Sequence, residues 1–404
     1  MATDKELLDQ MVAAAHKTTV GYVNKHWKPP PPAGTQWATF DSLAAELGAQ
    51  LDGPPVPPEP APGPGSTSSL WVCRHNPGTI AQVTNLSRYS LISIPAPDKG
   101  RLSTIRQQAP DARVICYRNG SFVTDYATSR DANCGVTYND AVSNNWILKD
   151  GSGQPLRTAR YSGQFFLDIS NNAFRQKWIS NVTSWAKEDG FDGVFVDDVN
   201  PNVDWHLGGQ PYPPKFPNRA AYSSAMGAWV AAFGPALTGG GLFTIPNIGA
   251  AWDEMPPWKQ WTMNCSGAVR EHFMAGSPPY RGADWGIHAQ VEQDVLSVGK
   301  PFFGLTFGAA NTADQRYVRA SFLLFHEPSK PSAYAWDVSD TGGADPWNSS
   351  WTFDLGLPLG AAVKNGAVWT RKFQQRTVTV DTTAGTSTVS APSAVMAQMT
   401  AGGL

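Results

Sequence analysis

The chain has 404 residues, 41% of them apolar, with 31 Lys and Arg against 33 Asp and Glu. That length predicts one large domain with appendages, and the near-balanced charge carries neither the basic stripe of a nucleic-acid binder nor an acidic tail. No run of about 18 apolar residues predicts a membrane span, and the opening MATDKELLDQ lacks the basic and apolar regions of a secretion signal.

Residues 1–52 read as a small helical module. Thr3 and Glu6 form a capping-box pattern, and Leu7, Leu8, Met11, Val12 and Ala15 recur with helical spacing. After a proline run, a second helix is expected over 39–51, with Phe40, Leu43, Leu47 and Leu51 on one face. Two short amphipathic helices bury little surface alone. The module is therefore expected to dock on a partner or on copies of itself, for example as a trimer. Residues 53–68 form a Pro-rich linker. Seven of the 13 residues in 53–65 are proline, and at about 3.1 Å per residue this spacer could hold its two ends roughly 40 Å apart.

From residue 69 to 382, apolar strand-like runs alternate with helical segments. Strands are predicted at 89–94, 112–117, 164–168, 193–198, 242–247, 268–273, 301–306 and 332–336. Helices are predicted near 99–108, 171–189, 220–233, 285–297 and 312–326. The fold class is α/β, and eight such alternations predict a (β/α)8 TIM-type barrel. A doubly wound sheet would carry a glycine-rich loop after its first strand, and Ile94-Pro95-Ala96-Pro97 is not one. The long polar stretches 120–162 and 199–218 are expected to build a binding site. Arg376 to Asp381 alternates as a final strand, and 383–404 reads as a loose tail.

The chemistry gathers at Gly190-Phe191-Asp192-Gly193-Val194-Phe195-Val196-Asp197-Asp198-Val199-Asn200. Two carboxylates end an apolar strand, where burial is costly without a purpose. Strand alternation predicts that Asp197 and Asp198 point to opposite faces. Hydrolysis of a glycosidic bond needs one carboxyl to protonate the leaving oxygen and a second as nucleophile or base. Asp197 is the first candidate. Glu271, at the end of another apolar run, is the second, with desolvation expected to raise its pKa as an acid requires. Each has a structural alternative, a loop cap for Asp197 and a salt bridge for Glu271. Asp198, Asp168, Asn247, Tyr117, Trp336 and Trp252 are candidate substrate-binding residues at strand ends or in the adjoining loop. Sixteen tryptophans favour stacking on sugar rings, although large cores use tryptophan as well. No cofactor or metal is expected. The sequence lacks H-E-x-x-H and G-x-S-x-G, and Cys73, Cys116, Cys134 and Cys265 lack the spacing of a zinc site or disulfide scaffold.

The run FFLDISNNAFRQKWI followed by GFDGVFVDDV resembles the third-to-fourth strand segment of the hypothetical glycosyl-hydrolase-like barrels of bacteria and of actinobacteriophage tail proteins. DGVFVDDV also resembles the DGFRID motif of α-amylase-type barrels, with Phe195 in place of the arginine. Both likenesses imply that Asp197 is the catalytic carboxylate, and the family's acid on a later strand falls on Glu271. The H-W-K-P-P-P-P stretch resembles the start of phage minor tail proteins. The resemblance implies a virion tail-tip protein, made in the host cytoplasm and acting at the host cell surface. It would bind and hydrolyse cell-wall polysaccharide and join other tail proteins through residues 1–52. The alternative it leaves is a non-catalytic carbohydrate-binding protein for host recognition.

Overall fold

The computed structural model describes residues 70–249, 258–274, 279–307, 312–337, 347 and 355–390. The module expected over 1–52, the linker over 53–68, Trp252 and the chain beyond 390 lie outside the described residues.

The fold is a mixed α/β architecture built on parallel strands. β1 (Trp71–Cys73), β2 (Leu91–Pro95) and β3 (Arg113–Asn119) pair in sequence. After an antiparallel pair, β4 (Phe122–Thr124) and β5 (Gln164–Phe166), the parallel sheet resumes with β6 (Gly193–Asp197) and β7 (Phe243–Pro246). A second parallel sheet contains β8 (Ala268–Glu271), β9 (Phe302–Phe307) and β10 (Ala333–Asp337). Single parallel bridges join the edges of the two sheets, Asn247 to Val269 on one side and Leu70 to Tyr334 on the other.

Eight parallel strands are therefore present among the described residues, but one differs from the expected set. Residues 164–168 do not join the parallel sheets. Their apolar QFFL run is buried against β4 and the loop bridges Ile147–Leu167 and Arg157–Phe165. The missing member is β1, three residues long. The two differences cancel, so β6 remains fourth in order. A second difference is at the carboxyl end. There β11 (Val363–Asn365), β12 (Val368–Lys372) and β13 (Thr377–Asp381) are extended by β14 (Thr386–Val389) into an antiparallel sheet. Ordered pairing thus runs past residue 382, where a loose tail was expected. Arg371 anchors this sheet by donating to the carbonyls of Leu324 (3.1 Å) and His326 (2.7 Å).

Helices cover the strands. They are α1 (Leu102–Gln108), α2 (Tyr138–Ser143), α3 (Asn172–Asp189), α4 (Asp204–Leu207), α5 (Arg219–Gly239), α6 (Trp258–Met263), α7 (Gly282–Ser297) and α8 (Thr312–Leu323). The strands read as continuous apolar runs because both of their faces are covered. One face carries Trp71, Leu91, Ile115, Phe195, Ile245, Val269, Leu305 and Ala335. The other carries Val72, Ile92, Val114, Val194 and Phe302 against the helical layer.

α3 shows how the sequence delivers β6. Asn171 caps it by accepting from Phe174 N–H at 3.1 Å. Phe174, Trp178, Val182 and Ala186 form its buried stripe, each large side chain contributing about 1.5–3 kcal/mol on burial. Gly190 ends the helix with φ +86°. Asp192 then accepts from Val114 N–H at 2.7 Å. Gly193 starts the strand where a Cβ would stand 2.0 Å from the Phe243 carbonyl oxygen, so no larger residue fits. Two indoles complete the support. Trp178 Nε1 donates to Asn119 C=O (3.1 Å) and Trp229 Nε1 to Gly120 C=O (2.9 Å), holding the end of β3 where it leaves the sheet.

Candidate active site

Strand alternation collects one set of polar side chains beyond the carboxyl ends of the strands. Tyr117 packs against the inner apolar face with Ile115, Phe195, Ile245 and Val269. Asn119, Asp197, Asn247 and Glu271 each lie two residues beyond a member of that face, so they share its side. Register brings Asn119 opposite Asp197, and the Asn247–Val269 bridge brings β7 beside β8.

Asn247 ties the set together. Its Nδ2 donates to Asp197 Oδ1 at 2.8 Å and to Glu271 Oε2 at 2.6 Å. Its Oδ1 accepts from the Glu271 backbone N–H at 3.3 Å, which fixes which end of the amide faces the acids. Two bonds from one nitrogen put those carboxylate oxygens at most about 5.4 Å apart, the sum of the two lengths. Tyr117 O–H donates to the other oxygen of Asp197 at 2.5 Å. The Tyr117 ring lies 4.4 Å from His75, which packs on Phe195 at 5.0 Å and has its Nε2 2.7 Å from Cys73 Sγ.

Burial first and the charge of Asp198 second push Asp197 up to about 6, partly offset by the hydrogen bonds from Tyr117 and Asn247. Burial and then the charge of Asp197 push Glu271 further, to about 8. The two acids are thus separated in proton affinity, with the proton favouring Glu271. Burial and the same carboxylates hold the Tyr117 phenol well above its ordinary value, keeping it a donor. Burial and Arg74 depress His75 to about 3, so its ring is neutral.

Asp198 departs from the expected alternation. Its φ of +56° lies in the left-handed region, so the chain turns out of the strand at this residue. Its carboxylate accepts from Asn119 Nδ2 (2.5 Å) and Asn200 Nδ2 (3.1 Å), and His206 Nε2 lies 3.2 Å from it. The Asp198 carbonyl accepts from Ser121 Oγ at 2.7 Å. Asp198 is held beside Asp197 by side chains on three segments rather than turned away. His272, directly after Glu271, repeats the left-handed turn with φ +56°.

The other candidates divide. Asp168 is engaged locally, accepting from Ser170 N–H (3.1 Å) and Oγ (2.6 Å), with Lys215 Nζ 3.7 Å away. Trp336 is buried on the opposite face of β10, toward the helical layer with Tyr334, because Ala333 and Ala335 occupy the inner face. His75, Asn119, Asn200 and His206 were not among the sequence candidates. Asn119 had a readable signal, two residues beyond Tyr117 on one strand. His75 follows a strand too short to register, and His206 lies on a four-residue helix. Among the described residues no group of three or more His, Cys, Asp or Glu side chains is arranged to hold a metal, and no helix is long and apolar enough to cross a membrane.

The family model for hypothetical glycosyl hydrolase family 15 matches residues 106–377, spanning β3, β6, β7 and β8 and therefore all four residues of the hydrogen-bonded set. The chain belongs to hypothetical glycosyl hydrolase family 15. No curated protein sequence matches this family 15 chain. Among solved structures it is similar to the glycoside hydrolase domain of PelA from Pseudomonas aeruginosa, with 13% identity, TM-score 0.42, and 68% of this chain and 96% of that one covered. It is also similar to a cycloalternan-degrading enzyme from Trueperella pyogenes, with 13% identity, TM-score 0.45 and coverage of 69% and 44%. A third similar structure is Amy13B from Eubacterium rectale, with 9% identity, TM-score 0.45 and coverage of 77% and 85%.

Proposed function

We propose that this family 15 chain is a retaining glycoside hydrolase whose eight parallel strands form a closed (β/α)8 barrel. Asp197 is its nucleophile and Glu271 its acid and base. The observation that carries this reading is the single Asn247 nitrogen bonded to both carboxylates. With the bonded oxygens at most about 5.4 Å apart, the arrangement favours the ~5–5.5 Å spacing of retaining enzymes over the ~6.5–9.5 Å at which inverting enzymes seat a water. The proton affinities agree. Asp197, the weaker base of the two, is ionised near neutrality and can attack the anomeric carbon. Glu271 keeps its proton and can give it to the leaving oxygen. Water then attacks the anomeric carbon, the bond to Asp197 breaks to return its carboxylate, and the water's proton passes to Glu271.

The substrate class we propose is cell-wall polysaccharide, delivered by residues 1–52 and the Pro-rich linker as an attachment to a phage tail. Incubation with purified cell-wall glycans is the test. The parent chain releases reducing sugar, and Asp197→Asn and Glu271→Gln each lower kcat by about a thousandfold or more. Release unchanged by either substitution defeats the assignment. Glycan binding with no release by the parent leaves a host-recognition domain. Deleting residues 1–65 is expected to leave hydrolysis intact and reduce the number of subunits in the assembled species, measured by light scattering. An unchanged subunit number removes self-association through residues 1–65.

A further inference from the structure

Most tryptophans in the described part of the molecule are core residues. Trp71, Trp178, Trp229 and Trp258 are almost fully enclosed. Among the described tryptophans Trp205 alone is largely exposed, at 53%, on α4 in the loop that follows β6, while Trp185, Trp347 and Trp369 are half-buried. The next residue, His206, turns inward and places Nε2 3.2 Å from the Asp198 carboxylate, immediately beside Asp197. One peptide step therefore leads from the side chain on Asp198 to an indole at the surface. The rings of Trp205 and His206 are 4.9 Å apart and nearly perpendicular.

A second exposed ring meets it. Tyr161, 48% exposed, comes from the excursion between β3 and β6, and its ring centre lies 5.8 Å from that of Trp205. One backbone bond and one side-chain bond lock the two loops together. Ala159 N–H donates to His206 C=O at 2.7 Å, and Arg160 Nε donates to Trp205 C=O at 2.9 Å. Gly208 approaches so closely that a Cβ there would stand 2.6 Å from Ala159 Cβ. The Arg160 guanidinium lies 5.2 Å from the indole centre. Two solvent-facing aromatics held in fixed relation leave apolar surface in water, with little ordering left to pay for when a flat apolar ligand covers it. The axial C–H face of a pyranose is such a ligand, and the arginine supplies donors for its ring hydroxyls.

The geometry points to Trp205 and Tyr161 as a platform for a pyranose unit of the polysaccharide lying outside the unit held at Asp197 and Glu271. This rests on the reading of the carboxylate cleft as a glycan site. The platform makes affinity depend on chain length, because only a chain that reaches it from the cleft gains the stacking contact.

The experiment titrates full-length Asp197→Asn protein, which blocks turnover, with size-fractionated soluble peptidoglycan glycan strands, chitohexaose and isomaltohexaose, and with the trisaccharide of each series, following binding by calorimetry. The expected result is a glycan bound more tightly as the hexasaccharide than as the trisaccharide. Adding Trp205→Ala then weakens the hexasaccharide by about tenfold and the trisaccharide by less than about twofold. Tyr161→Ala acts in the same direction, and Trp205→Phe restores part of the loss. Both alanine sites are half in solvent, and circular dichroism confirms folding. Hexasaccharide affinity unchanged in both alanine variants overturns the platform while leaving the cleft reading intact. Equal loss for both lengths also overturns it. Failure of every glycan to bind the protein and its Asp197-containing parent overturns both.

Discussion

At the scale of residues, the two acids carry the pH behaviour. The proposed mechanism requires Asp197 ionised and Glu271 protonated, so kcat/KM is expected to rise with pH through about 6 and fall through about 8. Tyr117 donates to Asp197 and holds its pKa down. Tyr117→Phe should therefore move the acidic limb upward as well as lower the rate about tenfold, read from the pH–rate profile. Stability has the opposite slope. Both groups are raised in the folded state, so their favourable contribution is complete below their ordinary values near 4 and is lost as pH climbs through 6 and 8. The gain in Tm of Glu271→Gln over the parent is accordingly expected to be larger at pH 9 than at pH 5 in calorimetric scans. Asp197, Glu271 and Asn247 were legible in the sequence because each ends an apolar run. The placement of Asp198 was not, since a left-handed residue breaks the alternation on which the reading depended. Trp336 failed for a related reason. When both faces of a strand are covered, hydrophobicity does not mark which one looks inward.

Among the elements, β6 shows the closest dependence of position on sequence. Gly190 stops α3, Asp192 clips the chain to β3, and Gly193 lets β6 pass against the Phe243 backbone. Gly193→Ala must push β6 from β7, and since backbone is the obstacle the cost should be about 3 kcal/mol or more. Denaturant melts will measure it, and activity should fall in the folded fraction because Asp197 shifts relative to Asn247. Both acid-bearing strands end in a non-glycine left-handed residue, Asp198 and His272. Strain of this kind persists where surrounding contacts enforce it, and here it sits one residue beyond each carboxylate. The long helices were readable from their caps and stripes. β1 was not, because three residues carry no periodicity, and QFFL was misassigned because buried antiparallel and parallel runs have the same composition.

For the molecule as a whole, the parallel strands form two sheets joined by single-residue bridges, and the acids fall on different sheets. Asp197 belongs to the five-stranded sheet and Glu271 to the three-stranded one. Asn247 stands at the join. Its backbone bridges to Val269 while its amide spans the two carboxylates, and the adjacent Ile248 N–H donates to Val269 C=O at 3.1 Å. Two further bonds cross it, Ser266 N–H to Thr244 C=O (2.9 Å) and Thr244 N–H to Ser266 Oγ (3.0 Å), and a join this short opens locally at lower free energy than the sheets on either side. Hydrogen exchange should therefore be faster at the Ile248 amide than within the β3–β6 ladder. On heating, catalysis should disappear several degrees before the fold melts. Equal protection at both places would refute this. Activity would then be lost at a temperature below the melting point, and a bound sugar chain touching both acids would act as a suture across the gap, drawing the first toward the second.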